Sequence, residues 1–560
     1  MKLDTFFDNF SLLADASNGV QKLREMVLQL AVQGKLVPQD LKDEPASILL
    51  ERIKAEKERL IKEKKTKKPK PLPPINPDEM PYKLPVGWEW VRLGQISEVL
   101  MGNSPPGNTY NDSGDGVPLI NGPVEFSNGD FGRTIKSKFT TKPTKLCKEG
   151  DLLICVRGST TGRTNIADFD ACIGRGVAAI QTHIFQEYSN WFMVHVRELV
   201  FSLGTGSTFP SISYDKLVGL VCPLPPYVEQ KRIVAKIDEL MALCDELEVR
   251  KQQVSKNCIQ LNDASIHKLL TVREPTKFKI HWQRICENFD LLYSKPENVN
   301  KIRQAILQLA VQGKLVPQDP KDEPASILLE KIMAEKERLI KEKKIKKAKP
   351  LPPLEAYEIQ YQLLNGWEWT QLSAIGLINP RNEIDDETEV SFVPMKLVPT
   401  ILGDRVESEI RQWGDIKKGF THFSEGDVAL AKITPCFQNK KSTVMRGLKN
   451  GSGAGTTELH IFRPINDLII SEYVLLYLKT PNFIREGVFK MTGSAGQKRV
   501  PKTYFSETPF PLPPTNEQKR IVAKVDELMD LCDELEASIL KSQTDCDRLM
   551  EAAVAEILAA

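Results

Sequence analysis

REMVLQLAVQGKLVPQD at residues 24–40 and RQAILQLAVQGKLVPQD at residues 303–319 open two 52-residue stretches that agree at 43 positions without a gap. A second block recurs in the same way. PLPPYVEQKRIVAKIDELMALCDELE at 223–248 matches PLPPTNEQKRIVAKVDELMDLCDELE at 511–536 at 22 of 26 positions. Between the copies lie two segments, 82–222 and 361–510, that resemble each other only faintly. The frame is duplicated and the inserts differ.

The order of the copies carries more information than their number. One full frame runs from Pro223 to Leu354, whereas its twin is split between 511–560 and 1–75. Joining the chain ends would give two equivalent halves in a circle. Such halves are expected about an approximate twofold axis, the commonest closed symmetry, with the chain ends close together. The expected domains are a helical half-repeat and linker (1–81), a first α/β domain (82–222), a central helical repeat (223–360), a second α/β domain (361–510) and a C-terminal half-repeat (511–560). Residues 1–19 have no evident counterpart in the central copy.

Residues 20–33 have helical periodicity and stop at Gly34. Pro45 and Pro324 each open a second helix. Its apolar positions in the first copy are Ile48, Leu49, Ile53, Leu60 and Ile61, and it ends in lysines that suit the negative end of the helix dipole. KKPKPLPP follows, with KKAKPLPP in the copy, as a stiff linker. Each insert then opens with the same phrase, Gly87-Trp88-Glu89-Trp90 and Gly366-Trp367-Glu368-Trp369, which reads as a strand. Its tryptophans are either packing anchors at the domain edge or base-stacking groups. The apolar runs after Gly150-Asp151 and Gly426-Asp427 read as buried strands, and 190–203 and 468–479 as helices.

A long helix follows each P-L-P-P. Ile233, Ile237, Leu240 and Leu247 in the first, and Ile521, Val525, Leu528 and Leu535 in the second, fall at heptad spacing. The expected pairing is of one long helix with the other, antiparallel. Residues 228–270 would make a rod of roughly 60 Å. The expected architecture is thus two mixed α/β domains separated by long antiparallel coiled-coil helices in a pseudo-twofold circular arrangement.

Composition narrows the class. Charged residues make up 27% and hydrophobic residues 41%, the net charge is +2, and no apolar run approaches the roughly 18 residues of a membrane helix. Asp4 and Asp8 interrupt the N-terminal apolar run, so it does not read as a signal peptide. The ten cysteines form no C-x-x-C pair, which argues against a zinc site or a disulfide frame and for a reducing, cytoplasmic setting. Arg52–Lys70 holds ten basic and three acidic residues, and Lys331–Lys349 nine and three. These blocks are either a polyanion contact or a solvated helix with i,i+4 pairs. No phosphate-binding G-x-x-x-x-G-K-[ST] and no H-E-x-x-H is present. No amino-methyltransferase N-P-P-[YF] turn or P-D…E-x-K nuclease core is evident either. The chain is expected to catalyse nothing by itself, with no metal or cofactor of its own.

L-P-P-x-x-E-Q-K-R-I-V after a Gly-rich loop, twice, with the paired G-W-E-W openings and the L-Q-L-A-V-Q-G-K-L-V-P blocks, resembles the specificity subunit of type I restriction-modification systems. The resemblance covers nearly the whole chain. It implies that the inserts are target recognition domains and that the helical repeats act as spacer and docking surface. It also implies double-stranded DNA as ligand, with two methyltransferase subunits and two restriction (translocase-nuclease) subunits as partners. S-adenosylmethionine, ATP and magnesium would then sit on those partners.

Under that resemblance, base-reading groups are sought in polar, Gly-rich loops, where bare backbone allows close approach. In the first insert they are Arg157, Ser159, Thr160 and Arg163, with Thr208 in the loop before the exit strand. In the second they are Lys432, Gln438, Asn439, Lys440 and Lys441, with Gln497, Lys498 and Arg499. Arginine pairs with guanine and Asn or Gln with adenine, while lysine holds phosphate. The bland alternative is a set of surface turns closed by internal ion pairs. A rival reading of the whole chain is a protein–protein scaffold without DNA contact, which would not require unlike inserts in matching frames.

Overall fold

A computed structural model describes residues 10–14, 16–63, 70–205, 210–347, 351, 353–354, 359, 361–494 and 496–559. The chain forms two compact units: Met1–Val254 with Gln543–Ala560, and Ser255–Ser542. Each boundary falls within a long helix, Tyr227–Thr271 or Thr515–Ala559.

In the first unit the helix Gly19–Val32 buries Leu23, Val27 and Leu30 completely, at i, i+4 and i+7. It ends where Gly34 adopts φ 69°. The Lys35 amide there donates back to Leu30 O at 2.9 Å, which closes the last turn. Ile233, Ile237, Leu240 and Cys244 of the first long helix share its core, with Tyr188 and Phe192 of the insert and Met550, Ala553 and Ile557 of the last helix. In the second unit, Ile521, Val525, Leu528 and Leu535 pack likewise against Val299, Ile306 and Ala310 of the helix Pro296–Val311. The expected long-helix seam is therefore occupied inside each unit over these positions. In the first unit that core also holds the end of the other long helix, so the short helix shares the stripe with it.

The polar contacts repeat as faithfully as the sequence. Arg24 pairs with Asp245 and Glu248, and Arg303 with Asp533 and Glu536. Lys22 pairs with Glu551, and Lys301 with Asp263. Lys35 caps the last helix by donating to Leu558 O, as Lys314 donates to Leu270 O and Val272 O. Asp547 accepts from both the amide and the hydroxyl of Ser17, so segments near the two chain ends meet in one unit. The repeat also reaches further toward the N-terminus than expected. The short helix Phe10–Leu13 (FSLL) has its counterpart 279 residues on in Phe289–Leu292 (FDLL). The signal was D-N-F-S-L-L against E-N-F-D-L-L.

Each insert enters and leaves through one antiparallel ribbon, Glu89–Arg92 with Val221–Leu224 and Glu368–Gln371 with Pro509–Leu512. The tryptophans before these ribbons are anchors. Trp88 and Trp367 are buried and donate from Nε1, each at 3.0 Å, to the buried Glu229 and Glu517. Inside, both inserts carry a four-stranded antiparallel sheet in the same order. It runs Ser97–Met101, Val177–Thr182, Leu152–Cys155, Thr164–Ile166 in the first, and Gly376–Ile378, Leu459–Pro464, Val428–Ala431, Ser442–Val444 in the second.

The central strand is covered on both faces, which is why its sequence is an unbroken apolar run. Leu152 and Ile154 face the helices, while Leu153 and Cys155 face a second, smaller core. Val428 and Leu430, and Ala429 and Ala431, divide in the same way. A second sheet with one parallel pair lies beyond that core, five-stranded in the first insert and four-stranded in the second. Part of the lysine-rich linkers (64–69 and 348–350) lies outside the described residues.

Candidate nucleic-acid interface

Both inserts turn sharply after the buried central strand, and the loop before the exit strand grips each turn. In the first insert, residues 157–163 join Leu152–Cys155 to Thr164–Ile166. Gly158 and Gly162 both sit at φ 91°, a conformation that excludes a side chain without strain. The Cys155 amide donates to Arg163 O, and the Gly162 amide to Cys155 O, each at 2.8 Å. The Gly158 amide then donates to Pro210 O at 2.8 Å. The Thr161 hydroxyl, shared between Gly158 O and Pro210 O, lies at 2.8 and 3.1 Å. A further bridge joins Arg157 to Ser211. Turn and loop thus form one surface.

Arg157 and Ser159 stand exposed on that surface, with Thr160 half-buried beside them. Among the described residues the Arg157 guanidinium has no partner. Arg163 points inward, donating to Ser127 O at 3.1 Å, with its guanidinium 5.9 Å from the centre of the Phe126 ring. Thr208 lies outside the described residues.

The second insert uses a longer turn, 432–441, with different fastenings. Phe437 is fully buried beneath it, against Phe483 and the face of Gly487. Gln438 and Asn439 are exposed at the tip. The Thr434 amide donates to Lys498 O at 2.9 Å and the Val500 amide to Lys432 O at 2.8 Å. Ile433 bridges to Arg499, and Arg499 occupies the place of Ser211, 288 residues earlier. That offset is also the one that relates the two long helices.

Charge is tied down differently around this turn. Arg499 forks onto Glu458, with Nε at 2.9 Å and Nη2 at 2.8 Å from its oxygens, and holds that carboxyl below its ordinary range. Lys441 donates to Met395 O at 2.8 Å. Lys440 adopts φ 57° and is half-buried, and burial pulls its ammonium down. Lys432 is half-buried near Glu458, while Gln497 and Lys498 are exposed.

The structure therefore brings the two expected loops of each insert together and sorts their side chains. Arg157, Ser159, Gln438, Asn439, Gln497 and Lys498 face outward. Arg163, Lys441 and Arg499 are engaged with their own domain.

One cationic stretch went unread in the sequence, and another extends further than the lysines expected at 432–441. Residues 133–148 hold six basic and no acidic residues, and Lys138, Lys142 and Lys145 are exposed along the second sheet of the first insert. Residues 428–457 of the second insert hold five basic and no acidic residues. Counting charge by sign within each insert would have found both. Among the described residues no helix is long and apolar enough to cross a membrane.

Comparison with known proteins places these inserts. The family described as the type I restriction modification DNA specificity domain matches residues 85–256 and 400–542, more than half of the chain. The specificity subunit of the type I restriction enzyme EcoAI of Escherichia coli is 54% identical over 254 residues, covering 45% of this chain and 43% of that protein. The EcoEI specificity subunit, also of Escherichia coli, is 52% identical over 260 residues, covering 46% and 44%. The chain thus spans less than half the length of these two relatives where it matches them. Among solved structures, the HsdS subunit from Thermoanaerobacter tengcongensis is 29% identical over 36% of this chain and 50% of that one, with a TM-score of 0.28. With two matching frames, two unlike inserts and a family match that falls on both, the chain belongs to the type I restriction-modification DNA specificity family.

Proposed function

We propose that this chain reads DNA sequence for a type I restriction-modification complex and catalyses nothing itself. The observation that carries the proposal is the pairing of a turn and an exit-strand loop at the same place in both inserts, with unlike polar residues displayed on each. Each insert reads one short block of base pairs through the major groove, where every pair presents a distinct donor and acceptor pattern. Arg157 is suited to guanine and Gln438 or Asn439 to adenine, while the exposed Lys138, Lys142, Lys145 and Lys498 are suited to phosphate.

Unlike inserts give an asymmetric target of two blocks, and the two 45-residue helices keep the blocks at a set separation, each about 67 Å long. The repeated frame offers one docking surface twice, related by an approximate twofold, for two methyltransferase subunits that act on adenine N6. Two restriction subunits join them for cleavage. S-adenosylmethionine, ATP and magnesium belong to those partners. Adenine N6 lies inside the stack, so the methyltransferase flips the base out.

The test is an exchange. Replacing residues 82–222 by the corresponding insert of a relative, in the complete complex, is expected to change one block of the methylated site and leave the other and the gap unchanged. Both ends of the insert lie on one ribbon, which makes the exchange structurally mild. Methylation mapping that showed both blocks changed, or neither, would overturn the proposal.

A further inference from the structure

The second turn rests on a fully buried lysine, whereas the cation nearest the first turn, Arg197, is only half-buried and is paired with Asp130. Lys479, the last residue of the helix Ser471–Lys479, is 2% exposed. Its ammonium donates to Thr400 O at 2.8 Å and to Lys440 O at 3.0 Å. Lys440 is the residue at φ 57° that ends the exposed tip, one place after Asn439. The lysine therefore clamps the tip of the turn to the segment 395–400. That segment is also held by Lys441, which donates to Met395 O, and by the Ser442 amide, which donates to Pro399 O at 3.1 Å. The charged groups facing Lys479 are Lys440 on the turn and Asp404, four residues beyond Thr400 in the chain.

An unpaired ammonium in the interior costs several kcal/mol unless hydrogen bonds offset it. A core that needed only packing would place an aliphatic side chain here. The first insert closes its shorter turn mainly with Thr161 and backbone amides, and Arg197, which reaches Gly162 O at 3.4 Å, has its charge met by Asp130.

We propose that Lys479 is the positioning residue of the second reading surface, fixing Gln438 and Asn439 in the orientation that meets base edges. This rests on the DNA-reading function proposed above. Removing the donors frees the tip while Phe437 still anchors its base, so the second block loses definition and the first does not.

The test uses the full complex and a pool of randomised duplexes of about 30 base pairs at fixed salt. With wild type, both blocks are recovered. Lys479→Met is expected to relax the second block roughly tenfold to a hundredfold and leave the first unchanged. Lys479→Arg and Lys479→Gln keep N–H donors and are expected to recover part of the loss. A Lys479→Met complex that selects both blocks as sharply as wild type overturns the inference. So does one that loses both blocks equally, or a loss that neither donor-bearing variant repairs. Should Lys479→Met fail to assemble, the ranking of Arg, Gln and wild type decides, and a second block that ignores the donor overturns the inference. A wild-type complex that selects no sequence overturns the proposed function instead.

Discussion

The turns at 157–163 and 432–441 leave the same edge of the same four-stranded sheet, yet almost nothing that holds them is shared. The first is short and is closed by two left-handed glycines and a threonine hydroxyl. The second is longer and stands on Phe437 and a buried lysine. The frames around them agree down to single contacts, as in Trp88 with Glu229 and Trp367 with Glu517. The difference teaches that the sheet and ribbon fix where a reading surface emerges, while its support is free to change with what it displays.

The contrast can be broken at its strongest point first. Phe437→Ala removes a fully buried ring from beneath the second turn and is expected to cost about 3–5 kcal/mol. Chemical unfolding with proteolysis around 432–441 would read it. A loss below about 1 kcal/mol would mean that the ring supports nothing.

A smaller, symmetrical effect is expected in the frame. Trp88→Phe and Trp367→Phe each leave a buried carboxyl without its indole donor, at about 1–3 kcal/mol apiece. The two values should agree within about 0.5 kcal/mol, as should be true of independent, equivalent sites. Unequal losses would show that the frames are alike in sequence but not in energetics.

The smallest effect is one of pH. Burial first and the neighbouring Lys440 second lower the Lys479 ammonium to about 7, with Asp404 opposing. A turn that swings open returns the amine to its ordinary value of 10.5. Between these values the open form binds more protons, so the closed turn gains stability as pH rises through that window. The gain is at most about 1.4 kcal/mol per pH unit. Amide protection over 432–441, corrected for intrinsic exchange, should rise between pH about 7 and 9. Protection over 157–163, which no lysine fastens, should stay level. Parallel profiles would erase the distinction between the two supports.

Much of this molecule was legible as a string. The repeated blocks, the stop at Gly34, and the buried strands after Gly150-Asp151 and Gly426-Asp427 all follow from local periodicity and turn chemistry. Local rules suffice there because a fully buried strand must be apolar throughout and a helix must end where its residues cannot continue it. The partner of the long-helix stripe was not legible. Ile233 or Ile521 specifies that something apolar covers it, and only the folded unit brings in the helix Gly19–Val32 or Pro296–Val311.

The inward turn of Arg163, Lys441 and Arg499 was equally hidden, since an arginine reads the same whether Glu458 is near it or not. Lys479 carries the point furthest. In sequence it is a helix-ending lysine, and only tertiary packing, by excluding water and aiming two carbonyls at one amine, makes it the support of a turn some forty residues away.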